Sequence, residues 1–260
     1  MSFRIATSAL CLAAALSVPL AFAQETGTIK VQFKYGGSAF DPAAIDVNKD
    51  KEFCGTHPLL NEKLLVDKST NGIKNVVLYV YTGRTGSKLP ATTLVPKKVT
   101  LANDKCRFEP RVVVLAVGDT LEITNPDAVG HNANLNFFAN TAQNITIPPA
   151  AAKDIKIEKP EPGVIPIDCN IHPWMRAYAV VLDHPFAGVS NAEGMVEIKG
   201  LPAGEKLMFR ISHEAAESAI KEVMIGGKTE ALKKNVIELM VNPGMNDLGT
   251  ITIPADALKP

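Results

Sequence analysis

Apolar and polar residues alternate with a period of two in many short stretches of this chain. Val31 and Phe33 alternate with Lys30, Gln32 and Lys34, and Leu121 and Ile123 with Thr120, Glu122 and Thr124. Leu207, Phe209 and Ile211 alternate with Met208, Arg210 and Ser212, and Ile251 and Ile253 with Thr250 and Thr252. This period predicts strands with one face on a core and the other toward water. Denser apolar runs at residues 76–81, 112–117, 177–182 and 236–241 predict strands covered on both faces. Turn chemistry separates the runs: Gly36 and Gly37, Gly118 and Asp119, residues 191–194, 202–204, Gly226 and Gly227, and Pro243 and Gly244. Only residues 59–66 and 214–223 suggest helix. Residues 89–98 and 159–166 hold two and three prolines and read as loops; the second cannot be a central strand. The fold class is therefore all-β, one β-sandwich or two.

The first 23 residues stand apart from this pattern. Arg4 precedes an apolar stretch rich in Ala and Leu, which ends in Ala21, Phe22 and Ala23 just before Gln24 and Glu25. That order predicts a secretory signal peptide, residues 1–23, and a periplasmic or extracellular location. The competing reading is a membrane anchor. A span needs about 20 apolar residues, and this run is broken by Ser8 and Ser17. Cys11 lacks the small residues that precede a lipidated cysteine. No later stretch is long and apolar enough to span a bilayer, so the mature chain is expected to have no transmembrane segment. The chain has 260 residues, with 27 Lys and Arg against 27 Asp and Glu. Cleavage leaves 26 basic against 27 acidic residues. Such a balance argues against nucleic acid as a partner, because phosphate-binding surfaces need a cationic excess.

The segment richest in chemistry is Cys169, Asn170, Ile171, His172, Pro173, Trp174, Met175. It places a thiol, an imidazole and a thioether at the spacing Cys-x2-His-x2-Met. A second imidazole, His131, lies 38 residues upstream of Cys169, just after the strand pattern of residues 120–124. Two His, one Cys and a weakly held Met make up the donor set of a mononuclear blue-copper site. The thiolate binds both copper valences, two imidazoles hold either, and the thioether tunes the potential. Cys54, Cys106 and Cys169 remain after cleavage, an odd number in an oxidising compartment. A Cys54–Cys106 disulfide would leave Cys169 free beside two potential ligands. A disulfide from Cys169 to either of the others is the alternative.

Residues 169–175 resemble the ligand loop of the amicyanin-type, short-loop cupredoxins. Residues 118–132, ending in His131 and Asn132, resemble the segment that leads into the first copper histidine of those proteins. The likeness covers residues 98–183. It implies a Greek-key β-sandwich with one Cu(I)/Cu(II) ion held by His131, Cys169 and His172, with Met175 axial. It implies that Asn132 ties the two ligand loops together. It also implies that His172, with Pro173 and Trp174, offers a partly exposed imidazole edge where electrons pass. The chain departs from the pattern at Gly130, where that group has Pro, and at Ile171. The chain as a whole is similar to cupredoxin-like proteins labelled as methylamine-utilisation proteins. Residues 186–204 resemble the transthyretin-like regulatory sandwich of carboxypeptidases. On this reading residues 24–97 and 184–260 join in a second sandwich, and the copper module, residues 98–183, is inserted in it or packed against it.

The function implied is single-electron transfer between redox partner proteins, with no catalytic turnover. A copper enzyme would need further histidine-rich sites, and only His57, His184 and His213 remain, none in a His-x-His pair. Those three are expected to be structural or surface residues. The other rival is a copper-binding or structural sandwich protein that recruits a partner without transferring electrons. Singly, His172 reads as a surface residue, Met175 and Trp174 as core, and Asn132 as a turn residue; their joint spacing carries the metal reading. The sequon at Asn144, Ile145 and Thr146 is too short a match to weigh.

Overall fold

The computed structural model describes residues 25–260, so the signal-peptide reading of residues 1–23 falls outside the described residues. The described chain is nearly all β, with its sheets in sandwich arrangements. Among the described residues no helix is long and apolar enough to cross a membrane.

Four sheets form two pairs. In one sheet the order is β13 (Met195–Pro202), β1 (Thr26–Tyr35), β18 (Gly244–Ile253), β15 (Glu222–Ile225) and β16 (Lys228–Ala231). Facing it is β12 (Ala187–Val189), β2 (Val77–Val80), β14 (Glu205–Ser212) and β17 (Val236–Val241). The alternating positions read from the sequence meet here: Val31, Phe33, Leu207, Phe209, Ile211, Ile251 and Ile253 share one buried core. Strands from both ends of the chain build this sandwich, and β1 pairs with β18 in parallel.

The second pair lies between them in sequence. One sheet runs β5 (Val112–Ala116), β11 (Arg176–Leu182), β10 (Val164–Asp168), β7 (His131–Leu135) and β8 (Gln143–Ile147). The other runs β4 (Phe108–Glu109), β3 (Lys98–Asn103), β6 (Thr120–Thr124) and β9 (Ala152–Lys156). Leu101, Phe108, Leu115, Leu121, Ile123, Leu135, Ile165 and Ile167 fill its core. A third apolar cluster joins the two sandwiches: Val77 and Tyr79 of β2 meet Val112, Val180 and Leu182 of β5 and β11. Strands β2 and β11 thus have apolar neighbours on both faces, the physical reason for their dense apolar runs. Beside this contact Arg111 clamps Glu214 through Nε–Oε1 at 2.5 Å and Nη2–Oε2 at 2.7 Å.

Two local expectations fail. Neither 59–66 nor 214–223 is helical; among the described residues the one α-helix is α1 (Lys51–Cys54), with a single 3-10 turn at Ala255–Ala257. Leu60 and Val66 instead make isolated bridges, to Ala44 and Ile73; Leu59, Leu64 and Val66 pack on the cores, while Leu60 is exposed. Residues 164–166, expected in a loop, belong to β10, the middle strand of its sheet. Pro166 is tolerated because β10 pairs with β7 only at Ile167 and Asp168, so on that flank the missing N–H faces no strand. Its carbonyl accepts from Asn136 Nδ2 at 3.2 Å.

Candidate metal centre

The two loops that carry the predicted donors meet at one end of the second sandwich. Cys169 follows the last residue of β10, and Met175 precedes the first residue of β11. The antiparallel pairing of these strands, with Asp168 opposite Arg176, pinches residues 169–175 into a tight connection. Cys169 N–H donates to Met175 O at 3.1 Å, and Met175 N–H to His172 O at 2.9 Å. On the other flank of β10, Asp168 is opposite Asn134 of β7. That register brings His131, the first residue of β7, alongside the connection.

The result is a compact cluster. Ligand atoms of His131, Cys169 and His172 all lie within 4.8 Å of one another. His131 Nδ1 and His172 Nδ1 are 3.0 Å apart, and Cys169 Sγ is 3.8 Å from His172 Nδ1. Exposure is 0% for His131, 2% for Cys169 and 0% for His172. Met175, 1% exposed, is buried in the same core as Cys169. Asn132 spans the two loops: its Oδ1 accepts from Asn170 N–H at 2.8 Å and Ile171 N–H at 3.2 Å, and its Nδ2 donates to Asn144 Oδ1. Cys54 and Cys106 form a disulfide, and Cys169 is free and buried.

Two carboxylates complete the arrangement, and sequence reasoning missed both. His131 Nε2 lies 2.9 Å from Asp127 Oδ2, and His172 Nε2 lies 2.8 Å from Asp50 Oδ2. Each carboxylate can accept from the Nε2–H of its ring, which leaves both Nδ1 atoms turned toward the cluster. The two buried Nδ1 atoms are 3.0 Å apart. A proton or a metal cation lying beside both nitrogens stabilises such a pair. The donor set fits one. Bonds of about 2.0 Å to nitrogen and 2.3 Å to sulfur put donors about 3.3–3.8 Å apart at tetrahedral to trigonal angles, close to the separations here. Cys106, Asp127 and His131 form a second close group, but Cys106 is in the disulfide and cannot offer a thiolate.

The electrostatics of the cluster favour a thiolate. Burial alone pushes the Cys169 thiol up. Hydrogen bonds from His131 and His172 and the backbone N–H groups of Asn132 and His172 outweigh it and lower the pKa from 9.0 to about 6. Burial disfavours a charged His172, but its bonds to Cys169 and Asp50 dominate and raise its pKa. Without a metal, one proton on the imidazoles balances the thiolate; a soft cation is the natural substitute.

One expectation about the patch is corrected. His172 offers no exposed edge: Asp50, on a loop 122 residues away in sequence, covers its Nε2. Pro173 is exposed, and Trp174 is half-buried with its ring 5.1 Å from that of His172 and its Nε1–H on Cys106 O at 3.0 Å. The remaining histidines lie elsewhere. His184 Nε2 bonds Val80 O, His213 Nε2 bonds Lys74 O, and His57 stacks edge-on with Phe53.

No protein family matches the sequence, and no curated protein does. Solved structures similar to it are cupredoxins. A copper-containing nitrite reductase from Thermus scotoductus is 24% identical over 37% of this chain and 25% of its own, with a TM-score of 0.31. A reduced amicyanin variant is 23% identical over 32% of this chain and 80% of its own, with a TM-score of 0.29. A purple cupredoxin from Nitrosopumilus maritimus is 21% identical over 32% of this chain and 97% of its own, with a TM-score of 0.27. The chain thus spans only a quarter of the reductase. The metal centre therefore stands on the residues described above.

Proposed function

We propose that this chain is an exported type 1 copper protein that carries single electrons between redox partner proteins. The observation that carries the reading is the convergence of two buried Nδ1 atoms with a buried free thiol of lowered pKa, on a loop that also brings Met175. His131, Cys169 and His172 would hold the ion as equatorial donors, with Met175 as the weak axial one. Copper bound there supplies a one-electron couple. The protein contributes rigidity: Asp127 and Asp50 fix the ring orientations, Asn132 fixes the thiol loop, and burial excludes water. Donors that cannot move between valences keep reorganisation small. The almost complete burial of all three donors leaves a substrate no access, which favours a carrier over an enzyme. With the His172 edge covered, half-buried Trp174 is the aromatic group between the centre and the surface. The outer sandwich, with its turns at residues 191–194 and 202–204, is read as the transthyretin-like support of this module.

A second reading, a copper-holding protein without electron transfer, is favoured by the Asp50 cover. Loading with Cu(II) and titration with a one-electron reductant decides between the two. A carrier shows an intense thiolate-to-copper band near roughly 600 nm that bleaches and returns over repeated cycles. A colourless copper-loaded protein, or one that bleaches only once, overturns the carrier reading.

A further inference from the structure

The cover on His172 comes from the connection between two strands of the outer sandwich, which packs on the core of the metal-bearing one through Ile45, Val47, Phe53, Cys54 and Leu59. Residues 36–76 connect β1 to β2, and within them Asp50 reaches across to the ligand loop. Asp50 is the N-cap of α1 in a left-handed conformation, φ 45° and ψ 44°, and makes no side-chain bond to its own helix. An N-cap carboxylate ordinarily accepts from the first-turn amides; here it accepts from His172 instead. Its carbonyl takes Phe53 N–H and Cys54 N–H at 3.0 and 2.8 Å, closing a rigid turn that ends in the disulfide to Cys106.

On the far side of that disulfide, Lys105 and Cys106 are both left-handed, with φ 54° and 57°. Their N–H groups donate to Asp127 Oδ1 and Oδ2 at 2.7 and 2.8 Å. Asp127 accepts from His131. Trp174, next to Met175, donates to Cys106 O. The disulfide thus links the turn that carries Asp50 to the turn whose N–H groups hold Asp127.

We infer that residues 50–54 and the Cys54–Cys106 disulfide form a clasp that locks the metal into the site and governs its exchange. This rests on the metal-centre reading above. Asp50 is a positioning residue. It holds His172 Nε2–H, so that Nδ1 stays aimed at Cys169 and His131. The disulfide keeps Asp50 and Asp127 at a fixed separation, so neither ring can turn out to hand over the ion. Outer carboxylates of this kind typically change metal affinity about 10–100-fold. The flanking chain therefore completes the site and does more than support it.

The test loads wild type, Asp50→Ala, Asp50→Glu and the Cys54→Ser/Cys106→Ser double variant with one equivalent of Cu(I). Transfer to an excess of a chromophoric chelator is then timed. Release at least about tenfold faster from Asp50→Ala and from the double variant, with Asp50→Glu closer to wild type, is the expected result. Asp50→Ala keeps the disulfide and is read alone if the double variant misfolds. Metal-free Asp50→Ala leaves the buried His172 Nε2 without its partner and should unfold at a lower urea concentration than wild type, whereas Asp50→Glu keeps an acceptor and should lie closer to wild type. Glu161→Gln, which destabilises the same sandwich away from the ligand loops, should release copper at the wild-type rate, so faster release from Asp50→Ala but not from Glu161→Gln is a signature that a merely structural role would not give. Release within twofold of wild type from Asp50→Ala overturns the clasp and leaves the metal centre intact. A wild type that takes up no copper overturns the metal centre itself.

Discussion

Replacing Asp127 by alanine should weaken the second sandwich far more than removal of one surface carboxylate. Asp127 is 5% exposed and accepts from three donors: Lys105 N–H, Cys106 N–H and His131 Nε2. A hydrogen bond to a charged group contributes about 1.5–3 kcal/mol, and a buried donor left unpaired keeps its desolvation cost. Water entering the space left by the carboxylate offsets part of the loss. The low end for three bonds gives about 4 kcal/mol, a large share of the 5–15 kcal/mol typical of a folded domain. The assay is urea unfolding of the metal-free protein, followed by tryptophan fluorescence. Trp174 is the only tryptophan, and its indole donates to Cys106 O, beside the damaged turn. At about 2 kcal/mol per molar urea, the midpoint should fall by roughly 2 M. Asp127→Asn keeps one oxygen but turns an amide N–H toward a donor, so it should fall between. A midpoint shift below about 0.5 M for Asp127→Ala would refute the claim that this carboxylate braces the ligand loops.

Other outcomes follow from the same structure. Cys169→Ser should bind copper without the visible band, whereas Met175→Leu should keep the band and raise the reduction potential; spectroelectrochemistry reads both. Glu214→Ala leaves the partly buried Arg111 without its bidentate partner but with Glu62 still beside it, and should destabilise the protein by about 1–3 kcal/mol in calorimetry. Glu161 accepts from the N–H groups of Phe138, Ala139 and Asn140. Burial pushes its pKa up, but the bonds from Asn140, Phe138 and Ala139 dominate and lower it below 4.5. A depressed carboxylate stabilises the fold above its ordinary pKa and loses that contribution as pH falls through the folded value. The stability gap between wild type and Glu161→Gln should therefore be constant above about pH 5.5 and close as pH drops below 4.5.

Local patterning made most of the strands readable. Period-two alternation in residues 30–34, 120–124 and 207–212 falls inside β1, β6 and β14, because one face of each lies on a core. The Cys169 loop was legible because its donors lie within seven residues, and His131 because a strand pattern precedes it. What stayed hidden depends on distant chain. Asp50 meets His172 across 122 positions, and no local signal separates it from any other acid in a lysine-rich loop. Asp127 stands in the segment leading to His131, and its i,i+4 placement was the only hint available. The exposed edge assigned to His172 failed for the same reason: its neighbours Pro173 and Trp174 suggest a surface, but the distant β1–β2 connection covers the ring. The helical look of residues 59–66 came from apolar spacing that serves packing on the cores. Pro166 in β10 was misjudged because how far a neighbouring strand extends cannot be read from the strand itself.

The most direct test is a crystal structure of the copper-loaded protein with anomalous scattering at the copper edge. One peak should lie within bonding distance of His131 Nδ1, His172 Nδ1 and Cys169 Sγ, with Asp50 and Asp127 still on the Nε2 atoms. Copper bound through Nε2, copper at His57 or another histidine outside the cluster, or Cys169 joined in a disulfide would contradict the account.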